Sequence, residues 1–253
     1  MKIIKYKKVK TNQYEIELEG TDSILLYDDI IVKHNLLLKG ELSKSELKSI
    51  IEENSSYESY YIALRYLGKR MHSKKEIYQY LEKKEFSKGT ILATIDKLIK
   101  QGYINEEQFT KAFIHDALAF TLDGPLKLER KLLDLGIEED LIRSELSKVE
   151  HNIWSSKVDK VLEKRLKSIK YTEKIWKQKT ESYLYQLGYS RKLVDDKIMN
   201  VNFENSDQLL EKEYQKLLRK LERKYNGQEL KFQLKNKLYA KGFTLDEIDS
   251  ILK

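Results

Sequence analysis

The sequence predicts a mainly α-helical protein, built from tandem three-helix repeats in an elongated array and preceded by a small β-containing element. Three observations lead to this prediction. A hydrophobic skeleton of four residues recurs four times, and Ser/Thr-x-x-Glu capping boxes open several candidate helices. Proline and glycine are scarce, at one and ten of 253 residues. This scarcity suits helices and argues against a sandwich with many turns.

The skeleton is a Leu, then an Ile or aromatic residue five positions later, an Ile or Val five later again, and an Ile or Leu four later. Its second positions are 51, 52 and 54 residues apart. Repetition at this period is typical of stacked supersecondary units, each of which depends on its neighbours for stability. The four copies are Leu81–Phe86–Ile91–Ile95, Leu132–Ile137–Ile142–Leu146, Leu184–Tyr189–Val194–Ile198 and Leu238–Phe243–Ile248–Leu252.

The N-terminal element, residues 1–54, does not share the repeat. Residues 14–18 alternate apolar and polar side chains with period two, Gly20 follows as a turn residue, and an apolar run covers 23–27. We therefore expect residues 1–28 to be β, with these two segments as paired strands.

The rest of the N-terminal element is predicted to be helical. A short helix is expected over residues 30–37, and Gly40 should end it. The capping box from Ser43 to Glu46 predicts a second helix around residues 47–53.

Each repeat is expected to contain a long first helix, a second helix that ends just before the central anchor, and a third helix after it. In repeat 1 these helices are predicted over residues 59–70, 73–83 and 87–100, and a capping box from Ser73 to Glu76 opens the second. We assign the four repeats to residues 55–104, 105–150, 151–203 and 204–253.

A glycine precedes the central anchor in three of the four copies, at Gly136, Gly188 and Gly242. A helix C-terminus often needs a left-handed residue at this place, which glycine adopts without strain. Repeat 1 has Glu85 there instead. Repeat 4 adds a capping box, Thr244-Leu-Asp-Glu247, before its third helix.

The net charge of +7 is unevenly distributed. Residues 1–150 carry 25 basic and 26 acidic groups, whereas residues 151–253 carry 23 and 15. A local excess of this size attracts polyanions, nucleic acid first. The alternative is an ordinary, solvated, lysine-rich surface.

Cations crowd into one arc of the predicted first helix of repeat 4, at spacings of four, three, one, three and one. Apolar residues such as Leu210, Tyr214 and Leu217 occupy the other side, so the cations should face outward. Glu213 and Glu222 interleave, which leaves a mixed solvated face as the alternative. The residues of this cationic stripe are Lys212, Lys216, Arg219, Lys220, Arg223 and Lys224.

The first helix of repeat 3 has the same design, with Val158, Val161 and Leu162 predicted to face inward. Nothing in either helix indicates sequence readout, so binding to nucleic acid is expected to be independent of sequence. Repeat 1 carries a thinner cationic set of Arg65, Lys69 and Arg70. In repeat 3 the outward residues are predicted to be Lys157, Lys160, Lys164 and Lys167, with Arg165 at the margin.

Two further patterns leave alternatives open. A third helix preceded by a tight turn resembles a helix-turn-helix reader of DNA, with Ser87-Lys88 or Ser190-Arg191-Lys192 as base-reading side chains. A cluster of tyrosines in repeat 1 could stack on unpaired bases or belong to the core. These tyrosines are Tyr57, Tyr60, Tyr61, Tyr66, Tyr78 and Tyr80.

Signals for catalysis are poor, and we expect no enzyme, no cofactor and no metal site. The chain has no cysteine, which excludes disulfides and thiol catalysis and fits a reducing compartment. The four histidines are isolated, and neither a phosphate-binding glycine loop nor a nucleophile elbow is present. No apolar run is long enough for a signal peptide or a membrane span, so we expect a cytoplasmic protein.

Three stretches of the sequence carry distinctive motifs. They are Gly102-Tyr-Ile-Asn-Glu-Glu-Gln-Phe-Thr-Lys-Ala-Phe113, residues 124–137 (Gly-Pro-Leu-Lys-Leu-Glu-Arg-Lys-Leu-Leu-Asp-Leu-Gly-Ile) and residues 63–76. All three resemble motifs of the bacterial RecX family, whose members regulate the RecA recombinase, and the first is similar to that family's junction between its first two units. The chain departs from the family pattern at Glu106, Thr110 and His115-Asp116.

The resemblance implies a curved chain of three-helix units and a monomeric, non-enzymatic regulator. It implies binding to RecA and to its filament on single-stranded DNA, and restraint of recombinase, ATPase and co-protease activities in DNA repair, recombination and the SOS response. Duplex DNA is a second candidate nucleic acid for this protein. The alternative to nucleic-acid contact is a helical adaptor that binds only a protein partner.

Overall fold

The computed structural model describes residues 1–202 and 206–252, and for residues 206 and 207 it describes the backbone alone. An antiparallel three-stranded sheet opens the chain, in the order β1 (Ile3–Lys10), β2 (Gln13–Leu18) and β3 (Ile24–Tyr27). The predicted pairing of the last two strands is confirmed, with Tyr14 opposite Leu26. The additional strand β1 pairs with β2.

Two helices connect the sheet to the repeats. The short helix α1 (Asp28–Lys33) and a 3-10 turn (Leu36–Leu38) replace the single helix expected over residues 30–37. Helix α2 (Lys44–Leu67) begins at the predicted capping box, where Ser43 accepts from the Glu46 backbone N–H.

Helix α2 is continuous through the position at which we expected one helix to end and the first repeat to begin. Asn54 lies in its middle and is 9% exposed. Its side chain accepts from Tyr27 N at 2.9 Å and donates to Leu25 O at 3.0 Å. The polar residue therefore attaches the helix to strand β3 instead of interrupting it.

Each of the four repeats contains three helices, as predicted. The second half of α2 serves as the first helix of repeat 1. The remaining helices are α3 (Lys74–Glu82), α4 (Lys88–Lys100), α5 (Glu106–Phe120), α6 (Pro125–Asp134), α7 (Glu139–Ser147), α8 (His151–Leu166), α9 (Glu173–Gln186), α10 (Arg191–Met199), α11 (Ser206–Leu221), α12 (Gly227–Tyr239) and α13 (Leu245–Ile251).

The recurrent skeleton forms the cores of these repeats. Thirteen of its sixteen side chains are buried, and Phe86, Leu146 and Leu252 are half-buried. The capping boxes predicted at Ser73 and Thr244 are both present. Local capping and periodic burial thus specify the same helices.

The chain divides into two compact bodies. The first comprises Met1–Thr110 and Leu135–Ile137, and the second comprises Lys111–Asp134 and Glu138–Lys253. The predicted boundary between residues 203 and 204 lies outside the described residues. Among those described, no helix is both long enough and apolar enough to cross a membrane.

The predicted glycine turns have a packing role as well as a conformational one. Gly136, Gly188 and Gly242 have φ values of +81°, +87° and +95°. A Cβ built on Gly136 would lie 3.1 Å from Lys75 Cβ, at the start of α3 in repeat 1. The turn of repeat 2 therefore sits directly on the second helix of the repeat before it.

The same relationship recurs in the following repeats. A Cβ on Gly188 would lie 2.7 Å from Lys127 Cβ at the start of α6, and one on Gly242 would lie 2.6 Å from Ile175 Cγ1 in α9. Repeat 1 has no preceding repeat, and Glu85 occupies its turn at φ +64°. Close approach between successive repeats thus explains why only the first copy tolerates a side chain there.

A candidate polyanion-binding surface

The cationic stripe of repeat 4 lies on the outer side of α11. Leu221 is buried, and Leu210, Tyr214 and Leu217 pack against the core of the repeat. All six predicted cations are exposed, and none forms an ion pair with a described carboxylate. With Gln215 they line one shallow groove: Lys212, Lys216, Arg219, Lys220, Arg223 and Lys224.

One of the two acids expected to interleave with the stripe points elsewhere. Glu213 is 2% exposed, and its Oε2 accepts from Lys241 Nζ at 2.8 Å. Glu222 is exposed. The inward turn of Glu213 removes a negative charge from the outer face, and its partner Lys241, 28 residues later, was not recognised from the sequence.

Helix α8 of repeat 3 presents a shorter cationic face. Lys160 and Lys164 are exposed, as is Lys167 at the C-cap position, and none of the three has an ion pair with a described carboxylate. The neighbouring Asp159 is engaged by Lys197, whose Nζ lies 2.6 Å from Asp159 Oδ2. These three lysines are therefore free to meet an external anion.

The prediction that Lys157 faces outward is wrong. This residue is 6% exposed, and its Nζ donates to Thr121 O at 2.6 Å and to Leu118 O at 2.7 Å. These are carbonyls at the C-terminus of α5, where a cation is favoured by the helix dipole. Burial, followed by the nearby charge of Lys160, lowers the pKa of Lys157. Its function is to fasten α8 to α5.

Arg165 lies at the margin of the face, as expected. Its Nε donates to Thr180 Oγ1 at 2.9 Å, and its guanidinium lies 5.0 Å from the centre of the Tyr183 ring. Both partners belong to α9. The side chain is half-buried and so offers less of its charge to the solvent than Lys164 does.

In repeat 1 the three predicted cations differ in availability. Arg65 and Lys69 are exposed, and neither has an ion pair with a described carboxylate. Arg70 is exposed as well, but its Nη2 lies 2.6 Å from Glu76 Oε1. Of these three cations, Arg65 and Lys69 are therefore the two without an ion pair to a described carboxylate.

The clustered tyrosines of repeat 1 are all half-buried and serve internal contacts. The rings of Tyr66 and Tyr80 stack at 4.0 Å, and Tyr60 and Tyr61 donate their hydroxyls to Gln101 and Asp29. This arrangement favours the core interpretation of the cluster over base stacking.

The other constellations considered from the sequence have local roles. Ser87 and Ser190 cap α4 and α10 by accepting from the backbone N–H groups of Thr90 and Leu193. Within residues 1–202 and 206–252, no group of three or more histidine or acidic side chains is placed to hold a metal ion.

Comparison with known proteins identifies similar sequences along the whole chain. The sequence model for the first three-helix domain of RecX matches residues 60–98. The regulatory protein RecX of Streptococcus uberis is 33% identical, with 100% of this chain and 98% of the relative covered. The RecX of Streptococcus agalactiae serotype III is 30% identical, with coverage of 100% and 99%.

Solved structures agree on the fold. A crystal structure of regulatory protein RecX superposes with a TM-score of 0.66 at 21% identity, over 79% of this chain and 99% of that one. The RecX of Lactobacillus salivarius gives 0.51 at 19% identity, over 58% and 96%. The chain belongs to the RecX family.

Proposed function

We propose that this protein binds the RecA recombinase and its filament on single-stranded DNA, and that it restrains recombinase, ATPase and co-protease activity. Curated relatives over the full chain are named regulatory proteins. The observation that supports the DNA contact best is the stripe on α11, where six exposed cations lack internal partners among the described residues and Glu213 is turned away.

The proposed contacts are electrostatic. Phosphates would replace condensed counterions and offset the repulsion between neighbouring cations on one helix. The proposed contact residues are Lys212, Lys216, Arg219, Lys220, Arg223 and Lys224 of α11, Lys160, Lys164, Arg165 and Lys167 of α8, and Arg65, Lys69 and Arg70 of repeat 1, with Lys157 now omitted.

Binding of this kind depends on salt and is independent of sequence. Each phosphate contact adds roughly 0.7 to the magnitude of the slope of log affinity against log salt for a single strand. Duplex DNA would also bind through its phosphates. We further propose that the protein acts as a cytoplasmic monomer without catalysis of its own.

A RecA strand-exchange and ATP-hydrolysis assay, with this protein titrated in, tests the proposal. We expect both rates to fall as the protein is added. A variant with Lys216, Arg219, Lys220 and Arg223 all changed to Glu should inhibit less. If neither rate responds to the unmodified protein, the proposed regulation of RecA is wrong.

The control is a variant with the same change of net charge at four exposed lysines outside the proposed surface. Lys5, Lys44, Lys83 and Lys84, each changed to Glu, provide it. This control should inhibit as the unmodified protein does. Measurement of oligonucleotide binding without RecA separates the protein-only adaptor, which would not bind, from the proposed function.

A further inference from the structure

Helix α12 of repeat 4 exposes two aromatic rings on one face. Phe232 and Tyr239 are each 61% exposed. Seven residues amount to almost two helical turns, so the two rings lie on the same side of the helix, about 10 Å apart along its axis. This alignment was not recognised from the sequence.

Packing of the repeat does not account for these rings. The inward positions of α12 are taken by Leu234 and Leu238, which are 2% and 0% exposed and lie on the opposite side of the helix. The core beyond them is completed by Phe243 and Ile248, which are also buried. The exposed rings are therefore additional to the apolar surface that the fold uses.

The surroundings of the rings are polar. Lys235 and Asn236 lie between them on the same face, and Lys235 Nζ is 2.7 Å from Asp249 Oδ1. Glu229, one turn before Phe232, is exposed as well, whereas Lys231 and Lys237 project from other sides of the helix. The same repeat carries the stripe of α11.

This composition suits unpaired nucleotides better than an apolar protein surface. A protein partner would be expected to use a contiguous apolar patch, whereas polar side chains separate these two rings. Bases have flat π-faces that stack on isolated aromatic side chains whatever their sequence, and the cations of the α11 stripe in the same repeat would hold the phosphates of that strand. A spacing of about 10 Å corresponds to roughly three steps of 3.4 Å along one strand.

We propose that Phe232 and Tyr239 stack on unpaired bases and thereby make this protein bind single-stranded DNA more tightly than duplex DNA. The inference rests on the proposed function, in which the stripe of α11 holds the phosphates. In a duplex the bases are already stacked on one another, so only the electrostatic contacts would be available to it.

Binding to an oligo(dT) strand and to a duplex of equal length, each over the same series of salt concentrations, tests the inference in the full-length protein. Phe232→Ala and Tyr239→Ala should each weaken binding of the single strand roughly five- to one-hundred-fold. Duplex affinity and the salt slope should not change. Tyr103→Ala, which removes a ring that is 55% exposed in repeat 1, should leave single-strand binding unaltered.

A fluorescence measurement reports stacking directly and does not require a loss of affinity. Trp154 and Trp176 are 6% and 3% exposed, so a Phe232→Trp variant adds an indole that is open to solvent. Its emission should be quenched by oligo(dT) and not by duplex DNA. The variant should retain the helical circular dichroism of the unmodified protein.

Several results would overturn the inference. One is equal weakening of single-strand and duplex binding by the Ala variants, and another is the absence of quenching at saturation with oligo(dT). Unchanged DNA binding combined with lost inhibition of RecA would assign the rings to a protein partner. If the unmodified protein itself fails to bind oligo(dT), the proposed function fails as well, and that result is distinct from failure of the ring variants alone.

Discussion

The ammonium of Lys241 lies 2.8 Å from the buried carboxylate of Glu213. Lys241 also donates to Lys170 O at 3.2 Å and lies 5.2 Å from the centre of the Tyr171 ring. This pair neutralises the charge of Glu213 inside the repeat. Glu213 therefore adds no negative charge to the outer side of α11, where the six cations of the stripe lie.

Removal of one partner of this pair should destabilise the protein. Lys241→Met leaves the Glu213 charge buried and unpaired, and we expect the free energy of unfolding to fall by about 3–5 kcal/mol. Urea unfolding followed by circular dichroism measures it. The double change Lys241→Met with Glu213→Leu should recover much of the loss, and Lys237→Met, at an exposed lysine, should have little effect.

Lys157 and Lys160 should differ sharply although they are three residues apart. Lys157→Met removes the charged hydrogen bonds to α5 and should cost about 2 kcal/mol of stability or more, without altering the salt slope of DNA binding. Lys160→Met should leave stability unchanged and reduce the slope for single strands by roughly 0.7. The reverse pattern would show that Lys157 meets the DNA.

The glycine turns allow a matched pair of substitutions. Gly188→Ala forces an alanine to adopt a left-handed φ of +87° and places its Cβ 2.7 Å from Lys127 Cβ. We therefore expect the free energy of unfolding to fall by about 2–5 kcal/mol. Gly20 has a similar φ of +80° but no atom within 4 Å of a built Cβ. Gly20→Ala should therefore cost only the conformational strain of about 1 kcal/mol. Equal losses in thermal or urea unfolding would rule out the close contact between repeats.

The buried His72 predicts a pH dependence of stability. It is 5% exposed, stacks 3.8 Å from Tyr66, and has its Nδ1 3.6 Å from Glu76 Oε2. Burial, and then the charge of Arg70, holds the pKa of His72 below its ordinary value. The unfolded chain, with an imidazole pKa of about 6.5, takes up the proton first, so stability falls as the pH drops from 7 towards 5.

The test for His72 is urea unfolding at a series of pH values. His72→Phe keeps a ring against Tyr66 and cannot titrate, so the fall in stability over this range should become shallower. His151→Gln, at an exposed histidine, should retain the slope of the unmodified protein. An unchanged slope in His72→Phe would show that another group is responsible.

The parts of the fold that depend on local signals could be predicted from the sequence. The skeleton from Leu184 to Ile198 specifies its own burial, and boxes such as Ser73–Glu76 specify helix starts by hydrogen bonds within four residues. Strand β1 lies within the predicted β region of residues 1–28, but its bounds could not be predicted, because lysines occupy both of its faces and hide the alternation. Helix α2 was divided in error, because the partners of Asn54 are distant in sequence.

The same distinction applies to the candidate surface. Helical spacing places Lys216 and Arg219 on the outer face of α11 correctly, since the apolar residues of that helix define its inner side. Spacing could not separate Lys157 from Lys160, because the carbonyls that bind Lys157 lie 36 and 39 residues away. Nor could it find the pairing of Glu213 with Lys241. Tertiary partners decide which charges remain free.

The central claim is that the cations of α11 meet DNA phosphates, and the salt dependence of binding to single-stranded DNA tests it most directly. With Lys216, Arg219, Lys220 and Arg223 changed to Glu, the slope of log affinity against log salt should fall in magnitude by roughly 3. The control variant changed at Lys5, Lys44, Lys83 and Lys84 should keep the slope of the unmodified protein. A slope that is the same in all three proteins would contradict the claim.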